Sequence, residues 1–160
     1  MQACDKLLPI THSHDVAFIL NDEPNLAALI GCDGVHVGPD DMPCEEARKV
    51  IGDNCIVGVT CKSSRQLAFD AGEQGADYVA FGSFYNSNTK EPTSYASVEL
   101  LAWWQEIMTL PCVAIGGITV KNCGSLIDAG ADFLAVSEGI WAHPEGPAKA
   151  VKLFNKKLEC

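Results

Sequence analysis

Asp22 and Asp41 each stand just past an apolar, strand-like run, and that placement is the sharpest chemical signal in the chain. If the two runs lie side by side in a parallel sheet, the carboxylates fall roughly 5 to 8 Å apart, close enough to share a hard cation whose shell water completes. A magnesium diphosphate is the kind of ligand that wants such a pair. The competing reading makes Asp22 a cap for the following helix and Asp41 the acid of a turn.

Two further stretches offer groups to phosphate oxygens. Ser83-Phe84-Tyr85-Asn86-Ser87-Asn88-Thr89-Lys90 is a polar loop after a strand, rich in hydroxyls and amides and closed by one ammonium. A solvated loop with an incidental lysine is the plainer reading. Cys112-Val113-Ala114-Ile115 runs straight into Gly116-Gly117-Ile118-Thr119, with a helical pattern opening near Asn122. Adjacent glycines let backbone N–H groups approach an anion, and the helix adds the positive end of its dipole; a tight strand-to-helix turn with no ligand fits equally. Lys62, Lys90 and Lys121 follow strand ends, whereas Lys149, Lys152, Lys156 and Lys157 share a terminal helix and read as a solvated face. His36 alternates with inward-facing apolar residues and reads as a satisfied core histidine in preference to a base.

The elements that must hold these residues repeat. Gly31-Cys32-Asp33, Gly75-Ala76-Asp77 and Gly130-Ala131-Asp132 each end a helical pattern with glycine, a small residue and aspartate, then enter an apolar run. With the runs at 16–20, 55–60 and 112–115, the chain reads as six strands alternating with helices near 25–30, 64–73, 98–108 and 121–129. Residues 1–14 look like the tail of a helix interrupted by Pro9, and Trp103 and Trp104 look like packing residues. Alternation of this kind means a parallel sheet covered on both faces. Polar residues follow every strand instead of clustering at one switch point, which favours a (β/α)8 TIM-type barrel over an open doubly wound sheet, with about six of its eight units present in residues 1–160 as one partial domain.

The 160 residues are 48% hydrophobic, with 21 acids against 11 bases and a net charge of −10. Such a balance repels nucleic acid and anionic membranes, so an anionic substrate must be held locally. No apolar run approaches the roughly 20 residues that span a bilayer, and neither end reads as a signal segment. The expectation is a soluble, cytoplasmic protein. Its eight cysteines include no C-x-x-C pair and read as reduced thiols.

Taken together, Asn21-Asp22, the run Gly34-Val35-His36-Val37-Gly38 followed by Asp41-Met42-Pro43, Gly58-Val59-Thr60, Ala76 to Gly82, Thr89-Lys90 and Val113 to Thr119 resemble the thiamine phosphate synthase family, in order and over nearly the whole chain. The resemblance implies a (β/α)8 barrel that joins hydroxymethylpyrimidine diphosphate to thiazole phosphate and releases diphosphate, with magnesium as cofactor and small phosphorylated molecules as its partners. It puts magnesium on Asp22 and Asp41 and Asn21 beside the diphosphate. Thr60 takes the place of a serine that contacts the pyrimidine diphosphate. Ser87, Thr89 and Lys90 match a T-x-T-K loop whose hydroxyls grip the thiazole phosphate and whose lysine reaches the diphosphate. Gly117 and the backbone near Ser137 and Glu138 would bind the thiazole phosphate. Lys90 and Thr60 would serve catalysis most directly.

The chain departs from the family pattern at Pro39, where glutamine is usual, at Lys62 for histidine, Ser87 for threonine and Glu138 for serine. Family members also begin with further strands bearing glutamine, arginine and lysine for the diphosphate. Without them, unpaired strand edges predict self-association. A thiazole tautomerase of the same fold is the alternative enzyme, and a phosphate-binding remnant the alternative without catalysis. Retention of Asp22, Asp41 and Lys90, with loss of the histidine that a tautomerase would use at Lys62, favours the synthase.

Overall fold

A computed structural model describes residues 2–87 and 94–159. Six strands form one sheet in chain order: β1 (Ile19–Asn21), β2 (Gly34–Val37), β3 (Ile56–Lys62), β4 (Tyr78–Gly82), β5 (Cys112–Ile115) and β6 (Phe133–Ala135). The pairs β1/β2, β2/β3 and β5/β6 are parallel. Helices alternate with the strands: α1 (Gln2–Ser13), α2 (Pro24–Ile30), α3 (Cys44–Ile51), α4 (Arg65–Glu73), α5 (Val98–Ile107), α6 (Gly124–Asp128), α7 (Glu138–Trp141) and α8 (Pro147–Leu158). This is the α/β alternation that the sequence predicts. None of the helices in the described residues is long and apolar enough to cross a membrane.

The chain divides into two compact units, Met1–Thr60 with Gln66–Val79, and Cys61–Arg65 with Ala80–Cys160. In the first, Val35, Val37, Val57 and Val79 are buried, as are Ala27, Ala47, Ala68 and Ala71 of α2, α3 and α4. Small helix residues let the helices lie close to branched strand residues. In the second, Phe81, Leu101, Trp104, Cys112, Ala114, Leu126 and Ala150 form the core. Trp104 meets Phe81 edge-on with centroids 5.5 Å apart, and its indole N–H donates to the Leu110 carbonyl. Trp103 lies under the Arg65 guanidinium, so both tryptophans are packing residues, as expected.

The repeated Gly-small-Asp joint has one physical job. Gly31, Gly75 and Gly130 take φ of 71°, 86° and 93°, the left-handed turn that leaves a helix without a Cβ clash. Each aspartate then clips the start of the neighbouring strand twice. Asp77 donates its amide to the Val57 carbonyl at 2.8 Å and accepts the Val57 amide on its carboxylate at 2.7 Å. Asp132 does the same with Cys112, and Asp33 with Phe18. The preceding helix completes each carboxylate: His12 for Asp33, Arg48 for Asp77, Gln105 for Asp132. The Phe18 amide and His12 hold the Asp33 carboxyl below its usual range.

Two boundaries differ from the sequence reading, and one helix, α3, was absent from it. α1 continues through Pro9, because a proline in an exposed helix removes one hydrogen bond without ending the segment when both flanks keep theirs. β1 begins at Ile19, since the Val16 amide is held by the Thr11 carbonyl in the turn after α1. α3 was readable from Glu45 and Glu46 in its first turn and Arg48 and Lys49 in its last, though its sequence carries no long apolar stripe.

Candidate functional site

In the first unit, Asn21 ends β1 opposite His36 of β2, and the Asp22 amide continues the ladder by donating to the His36 carbonyl at 2.8 Å. Asp22 takes φ of 68°, and it does not cap α2, whose preceding residue is Glu23. Asp41 folds back so that its carboxylate accepts the Gly38 amide at 2.7 Å. The turn role anticipated for Asp41 is therefore present. Both acids are exposed, and both belong to the carboxyl end of the β1/β2 pair. No group of three His, Cys, Asp or Glu suited to a metal occurs among the described residues. Magnesium, which keeps water and substrate phosphates in its shell, would ask no more of the protein than one or two such carboxylates.

Between β2, β3 and β4 the same unit holds a hydrogen-bonded chain. His36 Nδ1 lies 2.9 Å from the Tyr78 hydroxyl, and Nε2 lies 2.7 Å from Thr60 Oγ1. The imidazole and phenol stack with centroids 5.5 Å apart. Burial lowers the His36 pKa, opposed by the Asp41 charge, and pushes the Tyr78 phenol up to about 12. His36 is thus a satisfied histidine, as its alternation predicts, and Thr60 is tied to it. Tyr78 is the residue that sequence reasoning missed, having been read as a plain strand position. Gly58 was the available signal: a glycine within an apolar strand marks close approach, and here a Cβ would lie 2.0 Å from the Tyr78 ring.

The second unit contains the Gly116-Gly117 turn. The amides of Phe84 and Tyr85 donate to the carbonyls of Ile115 and Gly116, so the segment after β4 zips onto the end of β5. Gly116 and Gly117 have φ of 103° and 63°, and a Cβ on Gly117 would meet the Asn86 carbonyl at 2.3 Å. Both glycines are therefore demanded by the chain's own backbone, whatever ligand binds. The Asn122 side chain bridges the turn, accepting the Thr119 amide and donating to the Gly117 carbonyl. Ser137 precedes the short α7, which Glu138 opens; both are exposed. Ser87 is half-buried at the end of the described part of its loop, and Thr89 and Lys90 lie outside the described residues. Lys62 ends β3 with φ of 53°.

A family model described as Thiamine monophosphate synthase matches residues 1–140. The chain belongs to that family. It is accordingly a transferase of thiamine biosynthesis. Thiamine-phosphate synthase of Rhodospirillum centenum is 60% identical over 158 residues, 99% of this chain and 76% of that protein. The Hyphomonas neptunium thiamine-phosphate synthase is 56% identical over 144 residues, 90% of this chain and 65% of its own length. Among solved structures, the thiamine phosphate pyrophosphorylase from Pyrococcus furiosus superposes with a TM-score of 0.83 at 32% identity, covering 94% of this chain and 71% of that one. The family resemblance read from the motifs is borne out.

Proposed function

We propose that the chain is a magnesium-dependent thiamine phosphate synthase that condenses hydroxymethylpyrimidine diphosphate with thiazole phosphate, and that its sheet is part of a (β/α)8 barrel. The observation that carries this reading, given the family, is the placement of Asp22 and Asp41, both exposed, after neighbouring parallel strands. When bound there, magnesium would neutralise charge on the diphosphate as a Lewis acid.

The rest falls to the chain's own groups. In the reaction the bond from the pyrimidine methylene to the diphosphate oxygen breaks, its electron pair leaves with the diphosphate, and the thiazole nitrogen supplies the pair for the new C–N bond. No side-chain nucleophile is needed. Lys90 is assigned to the departing diphosphate, whose developing charge it offsets, with Asn21 beside it. Thr60 donates a hydrogen bond to the pyrimidine substrate. Ser87, Thr89, Gly117 and the backbone around Ser137 and Glu138 hold the thiazole phosphate, which fixes the nucleophile's approach. Retention of Asp22, Asp41 and Lys90 supports the synthase over a tautomerase, whose histidine base is replaced here by Lys62 at the end of β3.

The test is formation of thiamine phosphate from the two substrates by the purified chain, with and without chelator. Chelator-sensitive product that falls sharply in Lys90→Ala is expected. No product from the purified chain at any magnesium concentration would overturn the reading.

A further inference from the structure

In the second unit, the carbonyls of residues 116–119 are all engaged by the protein itself. The Gly116 carbonyl accepts the Tyr85 amide at 3.1 Å, and the Gly117 carbonyl accepts Asn122 Nδ2 at 3.1 Å. The Ile118 carbonyl lies where a Cβ on Gly139 would meet it at 2.3 Å, and the Thr119 carbonyl accepts the amides of Asn122 and Cys123. The amides of the same stretch divide differently. Thr119 donates to Asn122 Oδ1 at 2.7 Å, whereas those of Gly117 and Ile118 have no acceptor among the described residues. Ile118 is only 2% exposed, and a backbone N–H at so buried a residue normally has a partner.

A planar trans peptide points its C=O and N–H in opposite directions. Holding the Gly117 carbonyl on Asn122 therefore aims the Ile118 amide away from Asn122, and holding the Gly116 carbonyl on Tyr85 aims the Gly117 amide away from Tyr85. Gly117, with φ of 63°, lies between these two peptide units, and a left-handed residue turns successive N–H groups to one side, as in anion-binding nests. The roles of the Asn122 carboxamide are fixed by its partners. A backbone amide only donates and a carbonyl only accepts, so Oδ1 faces Thr119 and Nδ2 faces Gly117. The Tyr85 hydroxyl, donating to the Asn122 carbonyl at 2.8 Å, holds Asn122 in turn. From this geometry we infer that Asn122 is a positioning residue for phosphate: by holding the Gly117 carbonyl it presents the Ile118 amide, with that of Gly117, to an oxygen of a phosphate monoester. The aim of the amide follows from the hydrogen bonds, whereas the thiazole as carrier of the phosphate rests on the function proposed above.

Two measurements test it. In the intact chain labelled with 13C′-glycine and 15N-isoleucine, only the Gly117–Ile118 and Gly139–Ile140 peptides carry both labels, and the second is identified by its loss in Ile140→Val. Inorganic phosphate, and separately thiazole phosphate, should move the Ile118 amide proton downfield as it gains an acceptor. An Ile118 amide that responds to neither overturns the inference. A response to inorganic phosphate with none to the thiazole ester supports the aim of the amide and overturns the functional reading.

The second compares calorimetric affinities for thiazole phosphate and for the same thiazole alcohol without its phosphate, the ratio of which isolates what the phosphate contributes. Asn122→Ala should lower that ratio about tenfold, the scale for losing a hydrogen bond to a charged group, and leave the KM for the pyrimidine diphosphate unchanged. Asn122→Asp keeps an acceptor for the Thr119 amide, and with it the turn, but cannot donate to Gly117; its ratio should fall too, at a melting temperature near the parent's. If only inorganic phosphate binds, its affinity replaces the ratio. Equal weakening toward ester and alcohol would mean that Asn122 only supports the fold, and an unchanged ratio that the amide is aimed without it; either overturns the inference.

Discussion

The Tyr78 ring fills the space that any side chain on Gly58 would require: a Cβ there would lie 2.0 Å from the phenol Cζ and 2.3 Å from its oxygen. The contact links a strand glycine to the hydroxyl that shares a hydrogen bond with His36. Gly58→Ala should therefore cost about 1 to 3 kcal/mol, the range for overpacking a core. Denaturant unfolding checks this, and Gly58→Ala combined with Tyr78→Ala should cost less than the sum of the two single changes. Additive costs would separate the two residues.

The three joint aspartates predict a graded loss. Asp132→Ala removes the acceptor of the Cys112 amide and of Gln105 and should destabilise the protein by about 1 to 3 kcal/mol. Asp132→Asn, which keeps one acceptor oxygen, should cost less. Chemical denaturation of both variants gives the comparison, and a neutral Asp132→Ala would remove the clip from the account of the fold.

Tyr78 predicts a loss of stability in alkali. Its phenol is pushed by burial from 10.0 up to about 12. Between those values the unfolded chain has released the proton that the native chain still holds, so the native state binds more protons and stability falls as pH rises. The contribution is intact below pH 10 and disappears as pH approaches about 12. Urea midpoints on either side of this window should drop more steeply for the parent than for Tyr78→Phe.

Magnesium-dependent diphosphate binding should depend on both acids. Asp22→Asn with Asp41→Asn is expected to abolish the magnesium-dependent part of calorimetric diphosphate binding while leaving the fold intact, since both residues are exposed. Undiminished binding would place the metal elsewhere.

The glycine turn needs a different probe from simple substitution. Gly117→Val should lower the melting temperature itself, because the left-handed φ and the Asn86 carbonyl both exclude a side chain. Glu138→Ser is the cleaner experiment for the phosphate: removing an exposed carboxylate beside a bound anion should tighten thiazole phosphate binding by roughly 2- to 5-fold, the scale of exposed charge pairs. Unchanged affinity would remove Glu138 and its neighbours from the phosphate site.

The Gly-small-Asp joints were legible in the sequence because their physics is local: a left-handed turn needs glycine, and an aspartate just before a strand can reach the neighbouring strand's first amide. Repetition of that pattern, with apolar runs between, determined the alternation of strands and helices and the positions of Asp22 and Asp41 after their strands. What the tertiary structure decided lies across strands. That Thr60 answers to His36, that His36 answers to Tyr78, and that Gly58 and Gly117 are shaped by the protein's own atoms could not be read from spacing. Side chains from β2, β3 and β4 meet only when strand register brings residues 36, 60 and 78 to one place, and register is set by the pairing of whole strands, not by any residue's immediate neighbours in sequence.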